Sequence, residues 1–270
     1  MLISSLQNPK VKYLIKLQTK SAFRRDEGVA MVEGLRESLI ALSAGLLPQS
    51  VFFCPGMHPL DENLGELLKA VDSHQQFELS QHVFERLAYR DGSDGIICLF
   101  KAPRNELSEF IPPSESLILI LESVEKPGNL GAVLRTADAA SVDAVIVCDP
   151  STDLYNPNVI RSSLGCVFTT PVFSAGNTET LQWLKQHSIR IFASLLSEKS
   201  SPYHLSDYRN SSALLMGTEA TGLSDFWIRA ADEHIIIPML GKIDSLNVSN
   251  ATAILTFEAM RQRDFRHHSL

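Results

Sequence analysis

The chain has 270 residues, of which 44% are hydrophobic and 20% charged, which suits one large core or two modest ones and excludes disordered and collagen-like chains. Its apolar runs, such as 117–121 and 235–237, fall far short of the roughly 20 residues that a membrane-spanning helix needs. The N-terminus lacks the apolar stretch and small-residue cleavage site of a secretory signal, so we expect a cytoplasmic protein.

The net charge of −7 argues against a surface built for nonspecific nucleic-acid binding, but the charge is uneven along the chain. The first 25 residues contain no Asp or Glu and six basic residues, namely Lys10, Lys12, Lys16, Lys20, Arg24 and Arg25. This composition predicts a local basic surface. A solvated helix face without a binding role is the alternative.

Four cysteines are widely spaced and form no CxxC or CxxH pair, so we predict no metal site from them. Cys54, Cys98 and Cys148 lie in or beside apolar stretches, where a small buried side chain is the simplest interpretation. We assign no chemistry to these three or to Cys166.

Residues 1–101 have the pattern of a small α/β domain. Apolar residues at helical spacing predict helices over 8–20 and 33–44, the second ending at Gly45, a residue suited to a left-handed C-cap. The remaining elements are a strand at 51–54, a helix at 64–71, a strand at 77–79, a helix at 81–87 and a strand at 95–100. The segment 102–116, which is rich in Pro, Ser and charge, is predicted to be an interdomain linker.

Residues 117–270 predict a second domain of the α/β class. Five nearly continuous apolar strands are expected at 117–122, 144–149, 189–196, 213–217 and 234–239. Helices are expected between and after them, at 129–140, 157–164, 179–187, 224–231 and 246–263. Strands this apolar are buried on both faces, so we predict an open parallel sheet with helices on both faces.

Ligands bind open parallel sheets beyond the carboxyl ends of the strands, and the first loop of interest follows strand 117–122. There we expect Asn129 to cap the next helix, and Gly131 and Arg135 to share one helix face. An arginine near a helix start can bind a phosphate through its fork of donors. A surface salt bridge above a packing glycine is the alternative.

Two further loops have unusual compositions. In the second, Gly217 and Gly222 bracket Glu219 and permit close backbone approach to a ligand, although an ordinary turn would look similar. In the third, several polar residues lie at the start of the last helix, namely Ser245, Asn247 and Ser249. Because one cap needs only one of them, their number suggests a site.

Taken in order, three segments resemble the SpoU/TrmH family of RNA ribose 2′-O-methyltransferases, within the SPOUT superfamily. They are NLGAVLR (129–135), LLMGTEATGLS (214–224) and IPMLGKIDSLNVSNATAILTFEAMRQR (237–263). The stretch MVEGLRESLIALSAG (31–45) is similar to the small RNA substrate-binding domain often fused to that catalytic domain. Two positions depart from the family pattern, because Thr218 and Asn250 stand where Asn and an apolar residue are usual.

The resemblance implies a C-terminal trefoil knot, a homodimer with the site near the subunit interface, and S-adenosylmethionine as cofactor. It marks as cofactor contacts Gly217, Ile237 and Leu246, with Met239 and Gly241 beside them. It marks as catalytic or RNA-positioning residues Asn129, Arg135, Glu219, Ser245 and Asn247. The substrate is expected to be RNA, ribosomal in preference to transfer RNA, with backbone contacts from Lys10, Lys12, Lys16, Arg24 and Arg25.

The family resemblance casts Arg135 as the general base for the 2′-hydroxyl. A neutral guanidinium at pH 7 costs on the order of 7 to 9 kcal/mol, given a pKa above about 12.5. We therefore hypothesise that Arg135 stays charged, binds the neighbouring phosphate and stabilises the developing alkoxide.

Two other interpretations are open to test. A nucleotide-dependent oxidoreductase would carry a GxGxxG fingerprint, and the loop after strand 117–122 lacks it. A noncatalytic RNA-binding or ribosome-assembly module could retain the same fold, since a fold alone does not define a function.

Overall fold

The structure is a computed structural model that describes residues 2–89, 92–150, 152–197, 199–218 and 221–265. The chain divides into two compact units. The first comprises residues 1–104 together with 153–169, and the second comprises 105–152 and 170–270. In the structure, residues 153–169 pack with the first unit, whereas the domain boundaries expected from the sequence, 1–101 and 117–270, stay a prediction.

The first unit is built on a five-stranded sheet with helices. In chain order its elements are β1 (Leu2–Ile3), α1 (Pro9–Thr19), α2 (Ser21–Glu27), β2 (Val29–Glu33), α3 (Leu35–Ser43), β3 (Pro48–Phe53), α4 (Glu62–Lys69), β4 (Gln76–Leu79), α5 (Gln81–Leu87) and β5 (Ile96–Lys101). The strand order is β1-β4-β3-β5-β2, and β5 runs antiparallel to both of its neighbours. This unit has the small α/β character expected of the N-terminal region, and its sheet is mixed.

Helix α1 forms where the apolar spacing predicts it. The Asn8 side chain accepts the Lys10 N–H at 2.9 Å, and Pro9 occupies the first helical position, where a missing N–H costs nothing. The buried face carries Val11, Leu14 and Leu17, which join the core with residues of β2, β4 and α5. The lysines between them consequently lie on the solvent side.

Strand β2 and the glycine after it were not recognised from the sequence, which predicts a helix from 33. Gly34 has φ 113°, and an added Cβ there would lie 2.4 Å from Glu37 Oε2. The chain therefore turns sharply at Gly34 before α3 begins at Leu35. The predicted left-handed residue at the other end of α3 is confirmed, since Gly45 has φ 84°.

The second unit is an α/β layer structure. Its elements are β6 (Leu117–Glu122), α6 (Pro127–Ala139), β7 (Ala144–Cys148), β8 (Val172–Ala175), α8 (Asn177–Gln186), β9 (Arg190–Ser194), β10 (Ser201–Pro202), β11 (Ser212–Met216), α9 (Asp225–Ala230), β12 (Glu233–Ile236) and α10 (Val248–Gln262). Helix α7 (Pro157–Ser162), between β7 and β8, lies in the excursion and belongs to the first unit.

All seven strands of the second unit pair in parallel, in the order β10-β12-β9-β11-β6-β7-β8. Every residue of β6 is buried, as a strand covered on both faces requires. Ile118 and Ile120 pack in one cluster with Trp183 of α8 and Trp227 of α9, while α6 packs with α10. The predicted open parallel sheet is thus confirmed, and the trefoil knot stays a prediction.

The predicted linker packs against the second unit. Leu107 is buried, and the Phe110 ring centroid lies 5.0 Å from that of Phe173 and 6.0 Å from that of Trp183. The Trp183 indole N–H also donates to the Phe110 carbonyl at 3.2 Å. Within the described ranges no helix has the length and apolarity needed to span a membrane.

Hydrogen bonds from the Arg263 side chain hold the C-terminal end of α10 in place. Its guanidinium donates to the main-chain carbonyls of Tyr208 at 2.9 Å, Asn210 at 2.7 Å and Ser116 at 3.2 Å, and also to that of Glu115. Burial lowers the pKa of this guanidinium, with the nearby charges of Asp143 and Glu115 opposing the change. One side chain thereby joins the last helix to the segments that precede β6 and β11.

We predict that Arg263→Met lowers the free energy of unfolding by about 2 to 3 kcal/mol, because several partly buried carbonyls lose a charged donor. Arg261→Met is the matched control, since exposed Arg261 forms a surface ion pair with Glu258, and such pairs are worth roughly 0 to 1 kcal/mol. Urea denaturation followed by circular dichroism measures both. Equal losses of stability in the two variants would contradict this role of Arg263.

Candidate active site

A cavity of about 710 Å³ opens at the carboxyl edge of the second unit's sheet, within the range of roughly 300 to 1,000 Å³ typical of small-molecule sites. Loops after β9, β11 and β12 meet there with the start of α10. Apolar lining comes from Leu195, Leu196, Met216, Leu223, Ile228, Ile236, Ile237, Met239, Leu246, Val248 and Ala251. Polar lining comes from Lys126, Ser194, Thr218, Thr221, Asp244, Ser245 and Asn247.

The loop after β11 needs glycine at Gly217. An added Cβ would lie 2.3 Å from the Gly222 carbonyl carbon and 2.5 Å from the Leu223 nitrogen, distances that no side chain tolerates. Thr218 and Gly222 exchange backbone hydrogen bonds of 3.0 and 3.1 Å, which close the loop on itself. Glycine at this position therefore allows the close backbone approach that the loop requires.

Thr218, which stands where the family usually has Asn, contributes to this closure. Its hydroxyl lies 2.8 Å from that of Thr221 and accepts the Thr221 N–H at 3.0 Å. The departure from the family pattern thus keeps a local polar link across the turn.

The first and third loops are joined by their asparagines. Asn247 caps α10, with its Oδ1 accepting the Ser249 N–H at 2.9 Å, while its Nδ2 donates to Asn129 Oδ1 at 3.2 Å. The prediction that Asn129 caps α6 is wrong: the helix begins at Pro127, with Lys126 in the cap position. Asn129 therefore projects from the first turn toward the third loop, 118 residues away in sequence.

A smaller cavity of about 180 Å³ adjoins the larger one, with which it shares Lys126, Gly217, Thr218 and Val248. Its remaining lining residues are Val124, Glu125 and Asn129. The smaller cavity thus touches all three loops, and Asn129 faces it.

The structure gathers most of the sequence-predicted cofactor and catalytic residues around these cavities. The larger cavity is lined by Gly217, Ile237, Met239, Ser245, Leu246 and Asn247. Gly241 lines neither cavity, and an added Cβ there would meet no atom within 4 Å. Glu219 lies outside the described residues.

Arg135 is not brought into either cavity. Its side chain is exposed, and no hydrogen bond or ion pair joins it to another residue in the described ranges. Six positions separate it from Asn129 on α6, which places it about 9 Å along the axis and on a different face. Within one chain, Arg135 therefore does not share the asparagines' cavity.

Several lining residues were missed by sequence reasoning. Ser194, Leu195 and Leu196 follow β9 directly, and the rule that ligands bind beyond the carboxyl ends of parallel strands could have found them. Ile228 and Ala251 have the sequence pattern of ordinary helix-core positions. Only tertiary packing shows that they face the cavity.

The basic surface of the first unit is only partly as predicted. Lys10, Lys12, Lys16 and Arg25 are exposed, and the Lys10 ammonium lies 4.1 Å from the centre of the Phe77 ring. Arg24 departs from the prediction: its side chain is 3% exposed and its Nε pairs with Asp153 Oδ2 at 2.8 Å. The guanidinium also donates to the Leu17 and Gln18 carbonyls, so it serves the fold of this unit rather than a ligand.

The interpretation of the cysteines as small buried side chains is confirmed for Cys54, Cys98 and Cys148. Burial raises the pKa of the Cys98 and Cys148 thiols to about 12, so both remain protonated at neutral pH. Neither is available as a thiolate nucleophile.

The chain is similar in sequence to 23S rRNA 2′-O-methyltransferases. Over 256 residues the chain is 29% identical to the Bacillus subtilis 23S rRNA (guanosine(2553)-2′-O)-methyltransferase RlmP, covering 94% of this chain and 97% of the relative. Over 226 residues it is 35% identical to the Escherichia coli 23S rRNA (guanosine-2′-O-)-methyltransferase RlmB, covering 80% of this chain and 90% of the relative.

The crystal structure of the AdoMet-bound rRNA methyltransferase from Sinorhizobium meliloti superimposes with a TM-score of 0.88 and 28% identity, covering 97% of both chains. Residues 8–98 match the MRM3-like substrate binding domain, and residues 116–257 match the SpoU rRNA Methylase family. More than half of the chain lies within the second match. The chain therefore belongs to the SpoU rRNA methylase family.

Proposed function

We propose that this chain transfers a methyl group from S-adenosylmethionine to a ribose 2′-hydroxyl of large-subunit ribosomal RNA. The observation that carries the proposal is the convergence of three sequence-distant loops on one cavity, joined by the Asn247–Asn129 hydrogen bond. The names of RlmP and RlmB, both 23S rRNA 2′-O-methyltransferases, support the substrate. RNA carries this 2′-hydroxyl, whereas DNA does not.

The larger cavity fits S-adenosylmethionine by size and by chemistry. Its volume of about 710 Å³ is ample, and Gly217 forms part of its lining. Apolar residues such as Leu196 and Ile237 suit a purine ring, while Ser245 and Asn247 offer polar groups. When bound, the cofactor supplies a methyl group on a positively charged sulfur.

The chain's own residues would supply positioning. Asn129, Ser245 and Asn247 would orient the ribose, and Glu219 in the second loop would assist them. Holding the hydroxyl oxygen in line with the methyl carbon is itself worth several kcal/mol, because a bimolecular encounter becomes effectively unimolecular. Arg135 would remain charged, bind the adjacent phosphate and stabilise the developing alkoxide.

A homodimer would explain how Arg135 reaches the reaction. Arg135 is exposed and lines neither cavity of its own chain. On α10, Ile254 and Phe257 are 36% and 42% exposed on one helix face, an apolar stripe suited to burial by a second copy. We propose two-fold packing through this stripe, with Arg135 of one copy acting at the partner's cavity.

We expect Gly217→Ala to weaken S-adenosylmethionine binding by about 10-fold or more, since the loop must move to relieve the contact with Gly222. Gly65→Ala is the matched control, because an added Cβ there meets no atom within 4 Å. Isothermal titration of wild type and both variants measures the affinities. Unchanged affinity in Gly217→Ala would place the cofactor elsewhere.

Arg135→Lys is expected to reduce turnover by roughly 100-fold with cofactor affinity intact, because an ammonium cannot reproduce the planar fork. Single-turnover methylation of ribosomal RNA fragments measures this. Near-normal turnover would contradict any role that requires a guanidinium.

Subunit mixing tests whether the site is shared. Arg135→Ala and Asn247→Ala chains should each be nearly inactive as homodimers. If Arg135 acts across the interface, a purified heterodimer of the two chains contains one intact site and regains about half of the wild-type activity. If both residues act within one chain, no intact site forms and no activity returns.

The exposed basic residues of the first unit are proposed to contact the RNA backbone. Replacing Lys12, Lys16 and Arg25 together with Gln should weaken RNA binding and reduce the slope of log affinity against log salt by about 0.7 for each phosphate that the variant no longer neutralises. Lys69→Gln, at another exposed site of the same unit, is the control. An unchanged slope would mean that this surface is merely solvated.

The overall function is tested by mapping 2′-O-methyl positions in ribosomal and transfer RNA from cells with and without the protein. Loss of one ribosomal position supports the proposal. Loss of a transfer-RNA position instead, or of none, would favour a transfer-RNA enzyme or a noncatalytic module. A cytoplasmic location stays a prediction.

A further inference from the structure

Glu122 is a buried carboxylate whose role is not explained by the fold alone. It is the last residue of β6, is 5% exposed, and forms no ion pair with a Lys, Arg or His in the described part of the chain. Burying a carboxylate without a cation is costly unless hydrogen bonds compensate. Its partners therefore indicate what it does.

Both carboxylate oxygens accept hydrogen bonds, one from the end of the second loop and one from α8. Oε2 accepts the Ser224 N–H at 2.8 Å, and Oε1 accepts the Asn177 Nδ2–H at 3.5 Å. Asn177 in turn accepts, through Oδ1, the indole N–H of fully buried Trp227 at 2.6 Å. The chain of bonds thus runs from β6 through α8 to α9.

Two residues of this network, Ser224 and Trp227, are sequence neighbours of residues that line the larger cavity. Leu223 precedes Ser224 and Ile228 follows Trp227, and both line the cavity. Glu122 itself immediately precedes the first loop, whose Val124 and Lys126 line the smaller cavity. Glu122 therefore forms a hydrogen bond to the end of the second loop, and its backbone leads directly into the first loop.

We infer that Glu122 is a positioning residue that, through Ser224 and the Asn177–Trp227 pair, holds the first and second loops in the arrangement that binds the methyl donor. The inference rests on the proposed function and names a residue that acts on the cofactor site without lining it.

The network requires a carboxylate because it needs two acceptors. In Glu122→Gln, the amide oxygen can accept from Ser224, but the amide nitrogen then faces the Asn177 donor. The Asn177 amide could rotate so that its oxygen accepts from the new amide nitrogen at position 122. The Asn177 NH₂ group would then face the Trp227 indole N–H, and two donors would oppose each other. No rotation of the two amides satisfies all three hydrogen bonds.

We expect Glu122→Gln to raise the Kd for S-adenosylmethionine by about 10- to 100-fold, with RNA affinity unchanged. Thr180→Val is the matched control: Thr180 is fully buried on the same helix as Asn177, and its hydroxyl accepts a hydrogen bond from the Cys148 thiol at 3.4 Å. The control should lower the Tm and leave cofactor affinity as in the wild type. Isothermal titration and thermal unfolding measure both quantities.

A double-mutant cycle makes the test specific. Trp227→Phe removes the indole donor, so in the double variant Glu122→Gln/Trp227→Phe the Asn177 amide is free to flip and accept from the new amide at position 122. The double variant should therefore bind the cofactor more tightly than the two single effects combined predict. Strictly additive effects would overturn the proposed network.

The outcomes separate this inference from the proposed function. If the wild type binds no S-adenosylmethionine, the proposed function fails. If the wild type binds it and Glu122→Gln binds within about twofold while its Tm falls as in the control, only this inference fails. Should Glu122→Gln not fold, Asn177→Ala answers the same question, with weakened cofactor binding supporting the network and unchanged binding overturning it.

Discussion

Parallel pairing of the strands in the second unit is the constraint on which the site depends. Because β11 lies between β6 and β9 and all three run in one direction, the loops that follow them emerge at the same edge of the sheet. Side chains distant in sequence then meet without long connections, as the Asn247–Asn129 hydrogen bond shows. The apolar strands supply the stability, and the loops at their carboxyl ends are left to carry the chemistry.

The second loop of the site depends on close packing of its own backbone. Gly217 brings the backbone against Gly222, and the second loop is closed by its own hydrogen bonds. These loops can bind a ligand only if their own conformation is fixed, and we propose that Glu122 fixes it. Lys126 and Asp244 line the cavity, and methyl transfer depends more on alignment of donor and acceptor than on proton transfer by a perturbed acid or base.

Charged residues with similar sequence settings have different roles. Arg24 lies among exposed basic residues in the sequence, yet it is buried against Asp153. The Arg263 guanidinium donates to main-chain carbonyls and holds the end of the last helix in place. Arg135 is free of such bonds in the described part of the chain and is exposed. Because Arg135 makes no such hydrogen bond among the described residues, we expect it to act on a ligand or across a subunit interface.

The sequence by itself determined the α/β class, the parallel sheet and the residues of the three loops, because fully apolar strands and clustered Gly, Asn and Ser are local signals. It did not reveal β2, the grouping of 153–169 with the first unit, the start of α6 at Pro127 or the burial of Arg24. Those features depend on which partner a residue meets across the fold. Tertiary structure alone decided that Asn129 bonds Asn247 instead of capping its helix, since that bond joins residues whose proximity no local pattern encodes.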